Sequence, residues 1–186
     1  MKELRIHGRG GQGSLVFAEL LAVALFEENK YSFAFPVLAG GTRRGAPVAA
    51  MIRIDDKEVT LTDKVTTPDY IVVQDITIAD VVDVYEGLKE GGYVIINSHD
   101  KEYTSDKKYN LEGRDDIKVY MIDANKIAME AIGRPIVNTA LLGAFAKVTG
   151  EVSLESIEKT VRDRMDPDIA DKNIKAARDA YNAIEV

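Results

Sequence analysis

Apolar residues fall along this chain in short runs divided by polar breaks, and the spacing within each run separates strands from helices. Leu4 to Ile6 reads as a short strand. From Leu15 to Phe26 the sequence LVFAELLAVALF is apolar at almost every position, with Glu19 its lone charge. A helix apolar all round is buried on more than one side, so this one is expected under a sheet and also under a further element. Ser14 stands where it can cap that helix. Tyr31 to Val37 and Val48 to Ile54 are β-rich runs. Asp55-Asp56 reads as a turn and Glu58 to Leu61 as a returning strand, which predicts a hairpin. Tyr70 to Val73, Tyr93 to Ile96 and Val119 to Ile122 are β-branched or aromatic runs of the kind found in buried parallel strands.

Helical spacing marks Ile78 to Leu88, closed by Gly91-Gly92, and then Asn125 to Ile132 and Thr139 to Val148. Leu154, Ile157, Val161 and Met165 form a helical stripe over Ser153 to Met165, and Ile174, Ala177, Tyr181 and Ile184 form another at the end. Ser98 to Asp116 is polar and reads as loop. The alternation predicts an α/β fold. It is expected to be a Rossmann-like three-layer sandwich, with a largely parallel sheet, an antiparallel hairpin addition at one edge and C-terminal helices over a face. One domain is expected over residues 1–186.

Composition narrows the function. The net charge of -7 argues against nucleic acid as a partner, which needs a basic face. The chain has no cysteine, so it cannot itself hold an iron–sulfur cluster, a thiolate zinc site or a disulfide. It shows no signal peptide and no apolar run long enough to span a membrane, so a cytoplasmic protein without membrane contact is expected.

Two loops carry candidate chemistry. The first is His7-Gly8-Arg9-Gly10-Gly11-Gln12-Gly13-Ser14, between the first strand and the long apolar helix. Glycines there let backbone approach a phosphate, and the helix start offers free N–H groups. The string Gly8-x-Gly10-x-x-Gly13 matches the dinucleotide fingerprint, but the second strand ends in Phe35-Pro36-Val37 and lacks the ribose-binding carboxylate. As a phosphate loop of the Walker type it fails as well, because Ser14-Leu15 stands in place of Lys-Ser/Thr and the phosphate-binding lysine is missing. The plain alternative is that the glycines serve only a tight turn and close packing, with Gln12 making a local hydrogen bond. The second loop is Gly41-Thr42-Arg43-Arg44-Gly45-Ala46-Pro47, whose paired guanidinium groups suit phosphate or carboxylate, or an interface ion pair. If the two loops meet, they form one anion site.

Other chemistry is sparse. His7 ends a buried strand and reads as packed, and His99 reads as solvated, so no catalytic residue is assigned. Asp163, Asp166, Asp168 and Asp171 cluster near a helix start and read as capping and solvating groups in preference to metal ligands.

GRGGQG at Gly8 to Gly13, RRGAPV at Arg43 to Val48, NTALLGAF at Asn138 to Phe145 and Asn173-x-x-Ala176 occur in this order. The set resembles the gamma subunit, or gamma domain, of 2-oxoacid:ferredoxin oxidoreductases of the pyruvate and 2-ketoisovalerate type, over essentially the whole chain. Thr42 stands where that family often carries an acidic residue or serine. The resemblance implies a subunit of an enzyme that oxidatively decarboxylates a 2-oxoacid with CoA, giving acyl-CoA, CO2 and reduced ferredoxin. Thiamine diphosphate and iron–sulfur clusters would sit in the partner alpha, beta and delta subunits, with ferredoxin met through the complex. The gamma part is associated with the CoA side of the site. Gly8, Gly10, Gly11, Gln12 and Gly13 would then shape the loop, and Arg43 and Arg44 would meet CoA phosphate or a partner subunit. The residues alone leave two other readings open, an independent nucleotide-binding α/β protein and a purely structural scaffold subunit.

Overall fold

The computed structural model describes residues 1–37, 44–99 and 113–186. Its elements run β1 (Lys2–Arg9), α1 (Ser14–Glu27), β2 (Tyr31–Val37), β3 (Pro47–Asp55), β4 (Tyr70–Val73), β5 (Tyr93–Asn97), β6 (Lys118–Ile122), α2 (Ala124–Ile132), α3 (Asn138–Thr149), α4 (Leu154–Arg164) and α5 (Pro167–Ala183). The sheet order is β2-β3-β1-β4-β5-β6. β1, β4, β5 and β6 are mutually parallel, with Leu4 opposite Tyr70 and Tyr70 opposite Tyr93. β3 runs antiparallel between β1 and β2.

Period-two alternation divides the sheet residues between two cores. Leu4, Ile6, Ile52, Tyr70, Val72 and Ile95 face a layer built from all five α-helices. Ile71, Val73, Val94 and Ile96 face the other way, onto Ile78, Val84, Tyr85 and Leu88. That third layer is a 3-10 turn (Ile76–Asp80) followed by turns, not the α-helix the spacing over Ile78 to Leu88 predicts. The reason is a buried side chain. Arg5 of β1 donates to the carbonyls of Val84 and Glu86, which are therefore turned away from an i→i+4 ladder.

The antiparallel addition is present, but Glu58 to Leu61 has no part in it. Both edges of β3 are filled, by β1 on one side and β2 on the other, so no edge remains to pair with a later strand. The chain after β3 is held instead by Arg53, which donates to the carbonyls of Leu61 and Asp63 at 3.1 and 2.7 Å. The same guanidinium meets Glu3 at 3.0 Å.

In the helical layer, α1 buries Phe17, Ala18, Leu21, Ala24 and Leu25. Its surroundings are not closed all round, because Leu15 and Val16 remain 39% and 40% exposed. Helices α3 and α5 cross closely at Gly143, where a Cβ would lie 2.0 Å from the carbonyl oxygen of Ala177. Ser153 caps α4 by accepting from the Ser156 N–H at 3.1 Å. Among the described residues no helix is long and apolar enough to cross a membrane.

Candidate functional site

The chain leaves β1 toward the β2–β3 side of the sheet, whereas it leaves β4 toward β5. The carboxyl ends of β1 and β4 therefore flank the point where the winding reverses, the usual place for a ligand crevice in an open α/β sheet. The glycine loop sits there, and each part of it has a structural cause.

Gly8 is required by a close approach. Ser14 Oγ donates to Gln74 Oε1 at 2.6 Å across the place where a Cβ of residue 8 would fall, 2.3 Å from one atom and 2.4 Å from the other. Ser14 is thus the first residue of α1 and a tie to β4; it is not the cap. The cap position is Gly13, in the left-handed region, with no side-chain hydrogen bond and no acid in the first turn. The first intrahelical bond is Phe17 N–H to the Gly13 carbonyl at 2.9 Å, so the N–H groups ahead of it form an open positive end.

Asp75 organises the rest. Its carboxylate accepts from Arg9 Nε at 3.1 Å, Gln12 Nε2 at 3.0 Å and the Thr77 N–H at 3.0 Å. Gln12 Oε1 in turn accepts the Arg9 N–H at 2.7 Å. Burial pushes the Asp75 carboxyl up, but the bonds from Thr77 and Gln12 and the charge of Arg9 hold it below the ordinary carboxylate value. Gln12 therefore braces the loop from inside.

The two candidate loops meet. Gly10 N–H donates to the Ala46 carbonyl at 2.8 Å, Gly45 N–H to the Gly10 carbonyl at 3.0 Å, and Arg9 Nη1 to the Gly45 carbonyl at 3.0 Å. The exposed Arg44 side chain lies over Gly11, its Cγ 3.7 Å and its Nε 3.9 Å from where a Cβ would be. Arg43 lies outside the described residues. A cleft of about 390 Å³ opens here, lined by Gly11, Gly13, Leu15, Val16, Pro36 and Ala49.

A second cleft, of about 350 Å³, lies on the β4–β5 side and is lined by amides, among them Gln12, Gln74, Asn97 and Asn125. Asn97 donates to the Gln74 carbonyl at 2.9 Å and accepts the Ala124 N–H at 3.0 Å, tying β4, β5 and α2 together. Gln74 is 1% exposed, and its Nε2 has no partner among the described residues. His99 lines this cleft from an exposed position. Gln74, Asp75 and Asn97 are absent from the site as the sequence defines it. A polar residue directly after a β-branched run is the signal that points to Gln74 and Asp75.

The later motifs are mainly structural. Asn138 lies against Gly13, its Nδ2 3.0 Å from a built Cβ. Thr139 Oγ1 donates to Asn173 Oδ1 at 2.8 Å, and Asn173 Nδ2 to the Ile169 carbonyl at 2.8 Å, so these residues join α3 to α5. Asp168 sits in the first turn of α5 and Asp171 lies 3.5 Å from Arg162. Among the described residues no group of three acidic or imidazole side chains is placed to hold a metal.

Residues 3–183 match the family model described as pyruvate ferredoxin/flavodoxin oxidoreductase. Pyruvate synthase subunit PorC of Methanothermobacter thermautotrophicus is 51% identical, covering 100% of this chain and 97% of that protein. The pyruvate/ketoisovalerate oxidoreductases common subunit gamma of Thermococcus litoralis is 46% identical over 97% of this chain and 96% of that one. The crystal structure of pyruvate oxidoreductase subunit PORC from Thermotoga maritima superposes with a TM-score of 0.86 at 37% identity, covering 99% of this chain and 97% of that one.

Proposed function

This chain belongs to the pyruvate ferredoxin/flavodoxin oxidoreductase family, and we propose that within it the chain lends the CoA side of the site to a multisubunit 2-oxoacid:ferredoxin oxidoreductase. As the gamma subunit it holds the CoA phosphates while partner alpha, beta and delta subunits carry out the carbon and electron chemistry and meet ferredoxin. Thiamine diphosphate, when bound in those partners, supplies the carbanion chemistry, and iron–sulfur clusters carry the electrons. This chain, with no cysteine, offers no thiolate for a cluster.

The observation that carries the proposal is the uncapped N-terminus of α1 with Arg44 laid over Gly11 beside it. Open backbone N–H groups and a forked cation suit a pyrophosphate or a 3′-phosphate. Gly8, Gly10, Gly11 and Gly13 give the backbone its close path, and Gln12 holds it in shape through Asp75. Arg43, next to Arg44, belongs to the same proposed site. The half-exposed Leu15 and Val16 at the cleft favour a second reading of this face, as the contact that pins the loop to the catalytic subunits.

Kinetics of the assembled enzyme separate the two. Arg44→Ala, alone and with Arg43→Ala, is expected to raise the KM for CoA about tenfold or more with the complex intact, one charged hydrogen bond being lost per contact. Dissociation of the subunit at unchanged CoA kinetics would establish the docking reading. Unchanged assembly and unchanged CoA kinetics would remove the arginine pair from the site.

A further inference from the structure

The sheet ends on one side at β2, and among the described residues no strand pairs with its outer edge. Which backbone groups stand on that edge follows from the ladders. Gly10 N–H donates to the Ala46 carbonyl, so by alternation β3 turns Val48, Ala50 and Ile52 toward β1. Ala49, Met51 and Arg53 then turn toward β2, where they oppose Val37, Phe35 and Phe33. Ser32, Ala34 and Pro36 are left with their main chain facing outward. Pro36 has no N–H, and the Lys30 N–H is taken by the Leu25 carbonyl at 3.0 Å. The usable edge is therefore the N–H and C=O of Ser32 and of Ala34.

A long edge strand usually carries a charge that discourages pairing. β6, at the other edge of the sheet, has Lys118, whereas Tyr31–Val37 has no charged residue. Apolar groups flank the β2 edge on both faces. On the face away from the helices lie Tyr31, which is 49% exposed, and Phe33 and Phe35, whose rings are 5.4 Å apart. On the helix face Ser32 Oγ donates to the Ala22 carbonyl at 3.4 Å, and Phe26, one turn beyond Ala22 on α1, is 74% exposed. The charges bordering this patch are spent within the chain. Asp55 meets the N-terminus at 3.2 Å, Glu27 meets Lys159 at 2.6 Å, and Lys30 meets Glu151 at 3.3 Å. Glu19 stands two turns up α1 from Phe26, roughly 10 Å away. A second copy, despite its net charge of -7, therefore meets little repulsion here.

We propose that this face joins two copies of the chain about a twofold axis, with β2 antiparallel to β2. The proposal is independent of the CoA reading. Centred on Phe33, the pairing sets Ser32 opposite the second copy's Ala34, and Ala34 opposite its Ser32. Each pair exchanges both hydrogen bonds, and no N–H or C=O of these residues is left over. Centring on Ala34 would instead set Ser32 opposite Pro36 and leave the Ser32 carbonyl without a donor. Phe33 then meets its own copy and Tyr31 meets Phe35, so the aromatic rings of both strands form one row. The strand is about 23 Å long and the strand with α1 roughly 20 Å deep, so each copy buries on the order of 500 Å². The total, about 1,000 Å², stands at the lower limit for a specific interface and fits a reversible dimer.

The chain has no cysteine, so a single introduced thiol can form a disulfide only with its own copy. In this register the two residues 33 have Cα atoms about 4.5–5.5 Å apart, within reach of a disulfide. The two residues 31 are about 13 Å apart and out of reach. Full-length Phe33→Cys is expected to give a covalent dimer on mild oxidation, under conditions where Tyr31→Cys gives none. The wild-type chain is expected to sediment as a dimer at roughly 100 μM and to dissociate on dilution. Ala34→Pro removes one outward N–H from each copy and leaves the ladder to β3 alone, and it is expected to weaken association about tenfold or more. The proposal is overturned if the wild-type chain stays monomeric, if Phe33→Cys fails to link, if Tyr31→Cys links as readily, or if a folded Ala34→Pro chain dimerises unchanged. Should Ala34→Pro not fold, the cysteine pair decides, because those side chains point off the hydrogen-bonding edge.

Discussion

Gln12 Nε2 donates to Asp75 Oδ2 at 3.0 Å, so the amide of the glycine loop faces back into the fold. The same oxygen holds Arg9. Asp75 thereby fixes two side chains of the loop from the adjacent parallel strand's end, and through Arg9 reaches Gly45 of the second loop. Asp75→Ala releases all of these at once. The expected stability loss is on the order of 3 kcal/mol, read by urea denaturation. If the loop positions CoA, the KM for CoA in the assembled enzyme rises as well, while a Thr77→Val variant shows a smaller effect on both. An unchanged KM in a folded Asp75→Ala enzyme would leave the hub a purely structural role.

Gly8→Ala is expected to destabilise the chain by about 1–3 kcal/mol, because its methyl group meets the Ser14–Gln74 hydrogen bond. Ser14→Gly removes the nearer obstacle. The double variant should therefore be less destabilised than the sum of the single variants. Strict additivity in that cycle would show that the clash is not the cause.

At Gly143 the obstacle is backbone and cannot rotate away. Gly143→Ala forces α3 and α5 apart, with an expected loss of about 3 kcal/mol and a lower thermal midpoint. Calorimetry of the variant checks this, and an unchanged midpoint would show that the α3–α5 crossing yields cheaply.

His7 makes stability depend on pH in a defined direction. Its folded-state pKa is about 3, against 6.5 in the unfolded chain. Between those values the unfolded state binds a proton that the folded state refuses, so stability falls as pH drops from 6.5 toward 3 and is unaffected by this group above 6.5. The slope from one such group is about 1.4 kcal/mol per pH unit. His7→Gln should flatten denaturation midpoints over that window relative to the wild type. An identical pH profile in both proteins would place His7 in solvent contact.

The strands are legible in the sequence because β-branched runs such as Tyr70 to Val73 and Tyr93 to Ile96 carry their own signal, and the last two helices because their stripes are regular. The departures come from contacts distant in sequence. Asp55-Asp56 looks locally like a hairpin turn, but whether Glu58 to Leu61 can pair depends on β1 and β2 already flanking β3. The spacing over Ile78 to Leu88 is helical, but Arg5, 79 residues earlier than Val84, takes the carbonyl a helix would use. The glycine loop and Arg44 can be picked out by composition. Gln74 and Asn97 are marked only by following a β-branched run, and Asn138 by no spacing rule, so what each amide joins appears only when strands and helix starts converge.

The position of β1 has a consequence for how the chain is made. It is made before either of its neighbours, β3, reached at Pro47, and β4, reached at Tyr70. Until residue 70 is available, a strand destined for the middle of the sheet has an unpaired edge. Fragments ending before β4 should thus be prone to edge-to-edge association, whereas chains extending past β5 escape it. Synthesis stalled in that interval is where this protein is most exposed to aggregation.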